Sequence, residues 1–136
     1  RGTVKGESID SAQALASDQW ETRVAALKLI EQKRLEVGDF GVYPRLMKSH
    51  HAAERYWFVR TLGSSRRTST YRDLLSFLDD SNPGVVSMAL YALGQRKDSR
   101  AVPEILRRIE TSDDWYNQWY AYRALRNLGW KQSRSK

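Results

Sequence analysis

Apolar residues recur along this chain with a helical rather than a two-residue period, and the stretches they form close on the same dipeptide. Leu62-Gly63, Leu93-Gly94 and Leu128-Gly129 each end an amphipathic segment, at separations of 31 and 35 residues. Aligned on the glycine, Ala26, Phe58, Ala89 and Ala124 share one column. Leu27, Val59, Leu90 and Leu125 share the next, and Ile30, Leu62, Leu93 and Leu128 a third. The earliest copy ends Ile30-Glu31, 32 residues before Gly63. Positions one, four and five before the glycine lie on one helical face, so each copy reads as a helix with a single buried stripe. Glycine just beyond predicts a left-handed stop.

A second set of helices precedes these. Val102-Pro103-Glu104-Ile105-Leu106 lines up with Tyr71-Arg72-Asp73-Leu74-Leu75, and with Tyr43-Pro44-Arg45-Leu46-Met47 once a linker four residues longer is allowed. Pro44 and Pro103 suit a first helical turn, and Asn82-Pro83 pairs a good cap with a proline at the first position. A weaker stripe of Ile9, Ala12 and Leu15 supplies the leading helix. The pattern predicts eight helices in four pairs: 8–17 with 20–32, 40–50 with 52–63, 68–79 with 83–95, and 99–111 with 114–129. Residues 1–6 and 131–136 read as frayed tails. No segment alternates as a strand would. One such pair cannot bury its apolar face alone, whereas stacked neighbours share a continuous core, so residues 1–136 are expected to form a single all-α repeat domain.

The motifs Ala101-Val102-Pro103-Glu104-Ile105-Leu106 and Ala89-Leu90-Tyr91-Ala92-Leu93-Gly94 resemble HEAT-like repeats of the phycobilisome-lyase type. Across about residues 8–130 the resemblance implies a right-handed α-solenoid of four helix pairs. In that family a Val-Arg arginine stands eight residues before the glycine; the column here reads Arg23, Arg55, Val86 and Ala121. The acidic residue closing the unit falls at Asp18, at Asp79 or Asp80, and at Asp113 or Asp114. The resemblance implies that these charges form a ladder between stacked repeats. It specifies a fold more sharply than a function, because scaffolds, chromophore lyases and nucleic-acid enzymes share it.

Composition narrows the function classes. At 136 residues, 40% hydrophobic and 11% aromatic, the chain can close a modest core. No apolar run approaches the roughly 18–20 residues that cross a bilayer. The chain opens Arg1-Gly2-Thr3 without methionine or a signal pattern, which reads as a fragment or processed product and leaves room for further domains in a parent protein. With no cysteine there is neither a disulfide framework nor a thiolate metal site, and the compartment stays open. The net charge of +7, from 23 basic and 16 acidic residues, biases the surface toward acidic or phosphate-bearing partners.

Catalytic and metal chemistry find no assembled set. The repeated His-Glu dipeptides of iron-dependent hydroxylases in this fold class are absent. Only His51-Ala-Ala-Glu54 has spacing for two ligands on one face, and a metal needs three or four. Asp113-Asp114-Trp115 invites comparison with HEAT-like glycosylases, but an aspartate at a helix start is first a cap. No catalytic residue, metal or cofactor is assigned.

Binding residues are expected on the second helices, which in such solenoids line the concave face. Three positions before the glycine stand Lys28, Arg60, Tyr91 and Arg126; seven before it stand Val24, Tyr56, Ser87 and Tyr122; between them lie Ala25, Trp57, Met88 and Arg123. The expected face is a basic stripe interleaved with aromatics, able to grip an acidic peptide, hold a phosphate backbone or stack on bases. In the last helix Trp115, Trp119, Tyr122 and Arg126 share a face, which suits a partner site and equally suits a cap over the end of the solenoid. Arg66-Arg67 and Arg107-Arg108 read as solvated charge. The expectation is a non-enzymatic scaffold for a protein partner, with nucleic acid as the alternative.

Overall fold

The computed structural model describes residues 10–132. Residues 10–15 are helical (α1). Seven helices follow: α2 Trp20–Lys33, α3 Tyr43–Met47, α4 Ala52–Leu62, α5 Thr68–Ser76, α6 Pro83–Arg96, α7 Val102–Thr111 and α8 Trp115–Asn127. No strand occurs among the described residues. The predicted start of the first helix at residue 8, the tail 1–6 and residues 133–136 lie outside the described residues.

The even-numbered helices form one layer, α2 on α4, α4 on α6 and α6 on α8. Helices α3, α5 and α7 pack onto α4, α6 and α8 from a second layer. Between the layers one apolar cluster runs from Leu15 through Leu27, Phe58, Leu74, Leu90 and Ile105 to Leu125, all fully or almost fully buried. This is an α-solenoid.

The repeat is set by a turn rather than by a glycine. Caps Gln19, His51, Asn82 and Asp114 open the four even-numbered helices. Two residues before each cap, Ser17, Ser49, Asp80 or Ser112 accepts the cap's N–H through its side-chain oxygen at 2.9–3.1 Å. Short oxygen-bearing side chains bend the chain in this way wherever a helix must start after a sharp turn. Four residues past the cap, Arg23, Arg55 and Gln118 each reach back to donate to the carbonyl of that serine, at 2.9, 3.1 and 2.7 Å.

That register corrects the alignment on glycine. Glu31, Gly63, Gly94 and Arg126 are equivalent, so Leu128-Gly129 lies three residues beyond its apparent counterpart. Ile30, Leu62, Leu93 and Leu125 are the buried column. Only Gly129 has the predicted left-handed backbone, at φ 82°. Gly63 is right-handed at φ −64° and Gly94 lies inside α6; the left-handed stops of α2 and α6 are Arg34 and Lys97, at φ 57° and 60°. Gly63 and Gly94 serve close approach instead. A Cβ on Gly63 would stand 3.2 Å from Ala92 Cα, and one on Gly94 3.0 Å from Ala124 Cα. They let α4 meet α6, and α6 meet α8, nearly backbone to backbone.

The helix predicted over 40–50 shrinks to five residues. Phe40 is extended and Val37–Asp39 form a 3-10 turn. Glu36 holds this segment to the next loop, accepting from Gly38 N–H, Arg66 N–H and Ser65 Oγ at 3.1, 2.7 and 2.5 Å. The other breaks are smaller: Phe77–Asp79 and Ser99–Ala101 are 3-10 turns flanking α5 and α7. Pro44, Pro83 and Pro103 all occupy first turns, and Asn82 and Asp114 cap as predicted.

The ladder between repeats forms at two junctions, at the first with an altered partner and at the second with the expected aspartate. Arg23 grips Glu54, rather than an aspartate, through two hydrogen bonds of 2.6 and 2.9 Å, and Arg55 grips Asp80 at 2.8 and 3.1 Å. At the third junction the column holds no arginine: Val86 occupies it in α6 and, in the corrected register, Gln118 rather than Ala121 in α8. Asn117 bridges the gap, donating to Pro83 O and Ser87 Oγ at 3.0 and 2.8 Å.

Candidate interaction face

The true register rearranges the predicted stripe. Nine residues past each cap stand Lys28, Arg60, Tyr91 and Arg123, with Arg123 in the place expected for Arg126. Five past it stand Val24, Tyr56, Ser87 and Trp119, and six past it Ala25, Trp57, Met88 and Tyr120. These columns make contact across the layer. Lys28 Nζ lies 5.2 Å from the Trp57 ring centre. The Arg60 guanidinium sits between two rings, 5.1 Å from Trp57 and 4.8 Å from Tyr91. Tyr91 meets Tyr120 edge-on at 6.5 Å, Tyr120 meets Trp119 at 5.0 Å, and Arg123 lies 4.8 Å over Trp119. Cation–ring and ring–ring contacts thus run without a break from α2 to α8, the cation–ring contacts being worth about 0.5–2 kcal/mol per cation depending on desolvation.

The ladder is fixed most firmly at its middle. Arg60 donates to Glu31 at 3.3 Å and to Met88 Sδ at 3.5 Å, while its Nε is buried without a partner. Burial disfavours the Arg60 charge, but Glu31 together with Tyr91 and Tyr56 outweighs it, and the guanidinium pKa rises above that of free arginine. At the two ends the charges are open: Lys28, Arg123 and Arg126 are exposed and form no ion pair with a described residue. Trp115, Tyr116, Trp119 and Tyr122 are 66%, 63%, 43% and 48% exposed, the large apolar side chains left in solvent. Helix α8 therefore carries much of the face: Trp119, already a candidate, joins the columns as a rung, and Tyr120, which the shifted alignment left out, links it to Tyr91.

A groove opens beside the ladder where α6 and α8 begin. It holds about 210 Å³ and is lined by Tyr56, Pro83, Gly84, Ser87, Met88, Asp114, Tyr116 and Tyr120. None of Pro83, Gly84 or Tyr116 is read as a binding residue from the sequence; the cap spacing that aligns α6 with α8 was the available signal.

The histidines take structural or solvent positions. His51 stacks on Trp20 at 5.0 Å and Glu54 is consumed by Arg23 and Ser49, whereas His50 is exposed. Among the described residues no group of three or more His, Cys, Asp or Glu could hold a metal ion. No described helix is long and apolar enough to cross a membrane.

The layered helix pairs and the laterally exposed face define a repeat protein of the α-solenoid class. A family model for HEAT repeats matches residues 41–126, from the start of α3 to the last turn of α8 and more than half of the chain. The chain belongs to the HEAT repeats, which generally act as protein–protein interaction scaffolds and are typically non-enzymatic. No curated protein matches it.

Proposed function

We propose that this chain is a non-enzymatic interaction module that receives a protein partner on the outer face of its α2–α4–α6–α8 layer, which we take as the concave face of the solenoid. The carrying observation is the continuous run of cation–ring and ring–ring contacts from Lys28 to Arg123, with exposed Trp115 and Tyr122 on the same helix as its last members. Tryptophan, tyrosine and arginine concentrate binding energy at interfaces, and they do so best when pre-ordered, because less side-chain entropy is then lost on association. Arg60, Trp57 and Tyr91 are already held by one another. Open charge at Lys28, Arg123 and Arg126 favours an acidic partner. The kinship to phycobilisome-lyase-type repeats rests on Ala89–Gly94 and Ala101–Leu106 alone and brings no bilin-handling motif with it. We read residues 1–136 as one repeat domain.

Affinity purification with the tagged chain, compared between wild type, Trp119→Ala and Arg123→Glu, tests the face. Both variants should lose the recovered partner while Arg107→Glu on α7 keeps it. Recovery unchanged by either ladder variant would refute the face. A second reading, single-stranded nucleic acid, is favoured by the exposed Trp119 ring with Arg123 stacked on it. It requires binding to labelled RNA or DNA that weakens steeply with salt.

A further inference from the structure

The groove at the start of α6 and α8 is a different feature from the ladder, and its size decides what it could hold. Small-molecule and cofactor sites occupy about 300–1,000 Å³. At about 210 Å³ this one falls short, yet a cavity of roughly 150 Å³ already accommodates a benzene ring. It fits one bulky side chain. Its walls are apolar where it counts: Met88 is buried at the floor, Tyr56 and Tyr120 are half-buried flanks, and Tyr116 is an exposed rim. Pro83-Gly84 opens the mouth, because glycine leaves the first turn of α6 without a side chain. The polar groups are engaged elsewhere. Asp114 accepts from Asn117 N–H as the cap of α8, and Ser87 Oγ accepts from Asn117 Nδ2.

The groove is also wired to the cations. Met88 touches Arg60 Nη1 at 3.5 Å, and Tyr120 lies 5.0 Å from Trp119, under Arg123. A chain segment with its side chain in the groove would therefore run its neighbours over Arg60 and Arg123. Those charges, with Lys28 and Arg126, lack a full complement of acid: Glu31 balances Arg60, and nothing described balances the other three. Resting on the interaction-face reading above, we infer that the groove is an anchor subsite. It takes one leucine- or phenylalanine-sized side chain from an extended, acidic segment of the protein partner.

Fluorescence anisotropy on the full chain tests this with three labelled twelve-residue peptides. One is rich in Asp and Glu with a single central Leu, the second has Ser in place of that Leu, and the third replaces the acids by Lys. The Leu peptide should bind at least tenfold more tightly than the Ser peptide, and the Lys peptide should not bind. Tyr116→Ser, an exposed change that leaves the core alone, should shrink the Leu-to-Ser ratio to below threefold. Amide NMR shifts of Gly84, Ser87 and Tyr116 in the wild-type chain should move with the Leu peptide and not with the Ser peptide. Equal affinity for the Leu and Ser peptides, or a ratio untouched by Tyr116→Ser together with silent amides, overturns the anchor. If Arg123→Glu weakens both acidic peptides equally while Leu and Ser bind alike, the anchor fails and the ladder face stands. If the Leu preference survives but Arg123→Glu changes neither peptide, the anchor stands and the ladder face fails. Displacement of the Leu peptide by low-micromolar oligo-dT at low salt would overturn the peptide assignment in favour of nucleic acid.

Discussion

Replacing Gly94 by alanine sets two physical effects against each other, and the structure says which wins. Gly94 lies within α6, where alanine is favoured over glycine by about 1 kcal/mol. Local propensity alone therefore predicts a stabilised protein. The new Cβ, however, would sit 3.0 Å from Ala124 Cα and 3.3 Å from its Cβ, with Asn127 Nδ2 at 3.4 Å. The nearest atom belongs to a backbone, which cannot rotate out of the way, so α6 and α8 must separate. Overpacking of this kind costs about 1–3 kcal/mol. The balance is a loss of about 1 kcal/mol, or about 3–4 °C in Tm, given an unfolding entropy of about 2.1 cal/mol/K per residue over the 136 residues. Thermal and urea unfolding followed by circular dichroism measure it. A Gly94→Ala protein with a raised Tm would refute the close-approach account of the repeated glycines. Gly94→Val, with two further carbons at the same crossing, should lose at least twice as much.

Lys97→Gly should act in the opposite direction, raising stability by up to about 1 kcal/mol in the same unfolding experiment, because Lys97 holds a left-handed backbone at φ 60° that costs a side-chain-bearing residue about that much. Glu54→Ala should cost about 3 kcal/mol, since it strands Arg23, whose side chain is only 10% exposed. The double change Arg23→Met with Glu54→Leu should recover most of that loss, and a double variant as unstable as Glu54→Ala would contradict it. The pH profile follows from two carboxylates. Burial pushes Glu54 and Glu36 up, but the hydrogen bonds from Arg23 and Ser49 to Glu54, and from Ser65, Arg66 and Gly38 to Glu36, outweigh it and bring both below the ordinary 4.5. The unfolded chain thus binds more protons there. Their stabilisation is complete above pH 4.5 and disappears as pH falls through the lowered folded values, so urea midpoints should drop below that pH and do so less steeply in the double variant.

The four helix pairs were legible in the sequence because burial writes a coarse signal. Ile30, Leu62 and Leu93 repeat in a column that any helical reading finds, and prolines mark the helix starts. What misled was the glycine. Gly129 is a helix stop and Gly63 and Gly94 are helix crossings, yet all three follow leucine, and a dipeptide does not distinguish a backbone angle from a close neighbour. The more reliable marker was quieter: Ser17, Ser49, Asp80 and Ser112, each two residues before a cap. A serine or aspartate in a loop is common, and only the hydrogen bond to the cap N–H distinguishes these four. The shortened α3 had no local warning either, since Glu36 finds its partners at Ser65 and Arg66, about 30 residues away.

The three-residue correction changes the candidate face as well as the alignment. Arg126 stacks on no described ring, so a ladder drawn through it ends at Tyr91. With Arg123 there, Trp119 and Tyr120 enter as rungs and the run of contacts reaches α8. Arg60 spends its charge on Glu31 and its faces on Trp57 and Tyr91, so its removal should loosen the junction of α4 with α6. Arg123 rests on a ring of its own helix and supports no junction. Arg123→Glu therefore separates recognition from stability in a way that Arg60→Glu cannot: the first should leave the unfolding midpoint within about 0.5 kcal/mol of wild type, and the second should lower it.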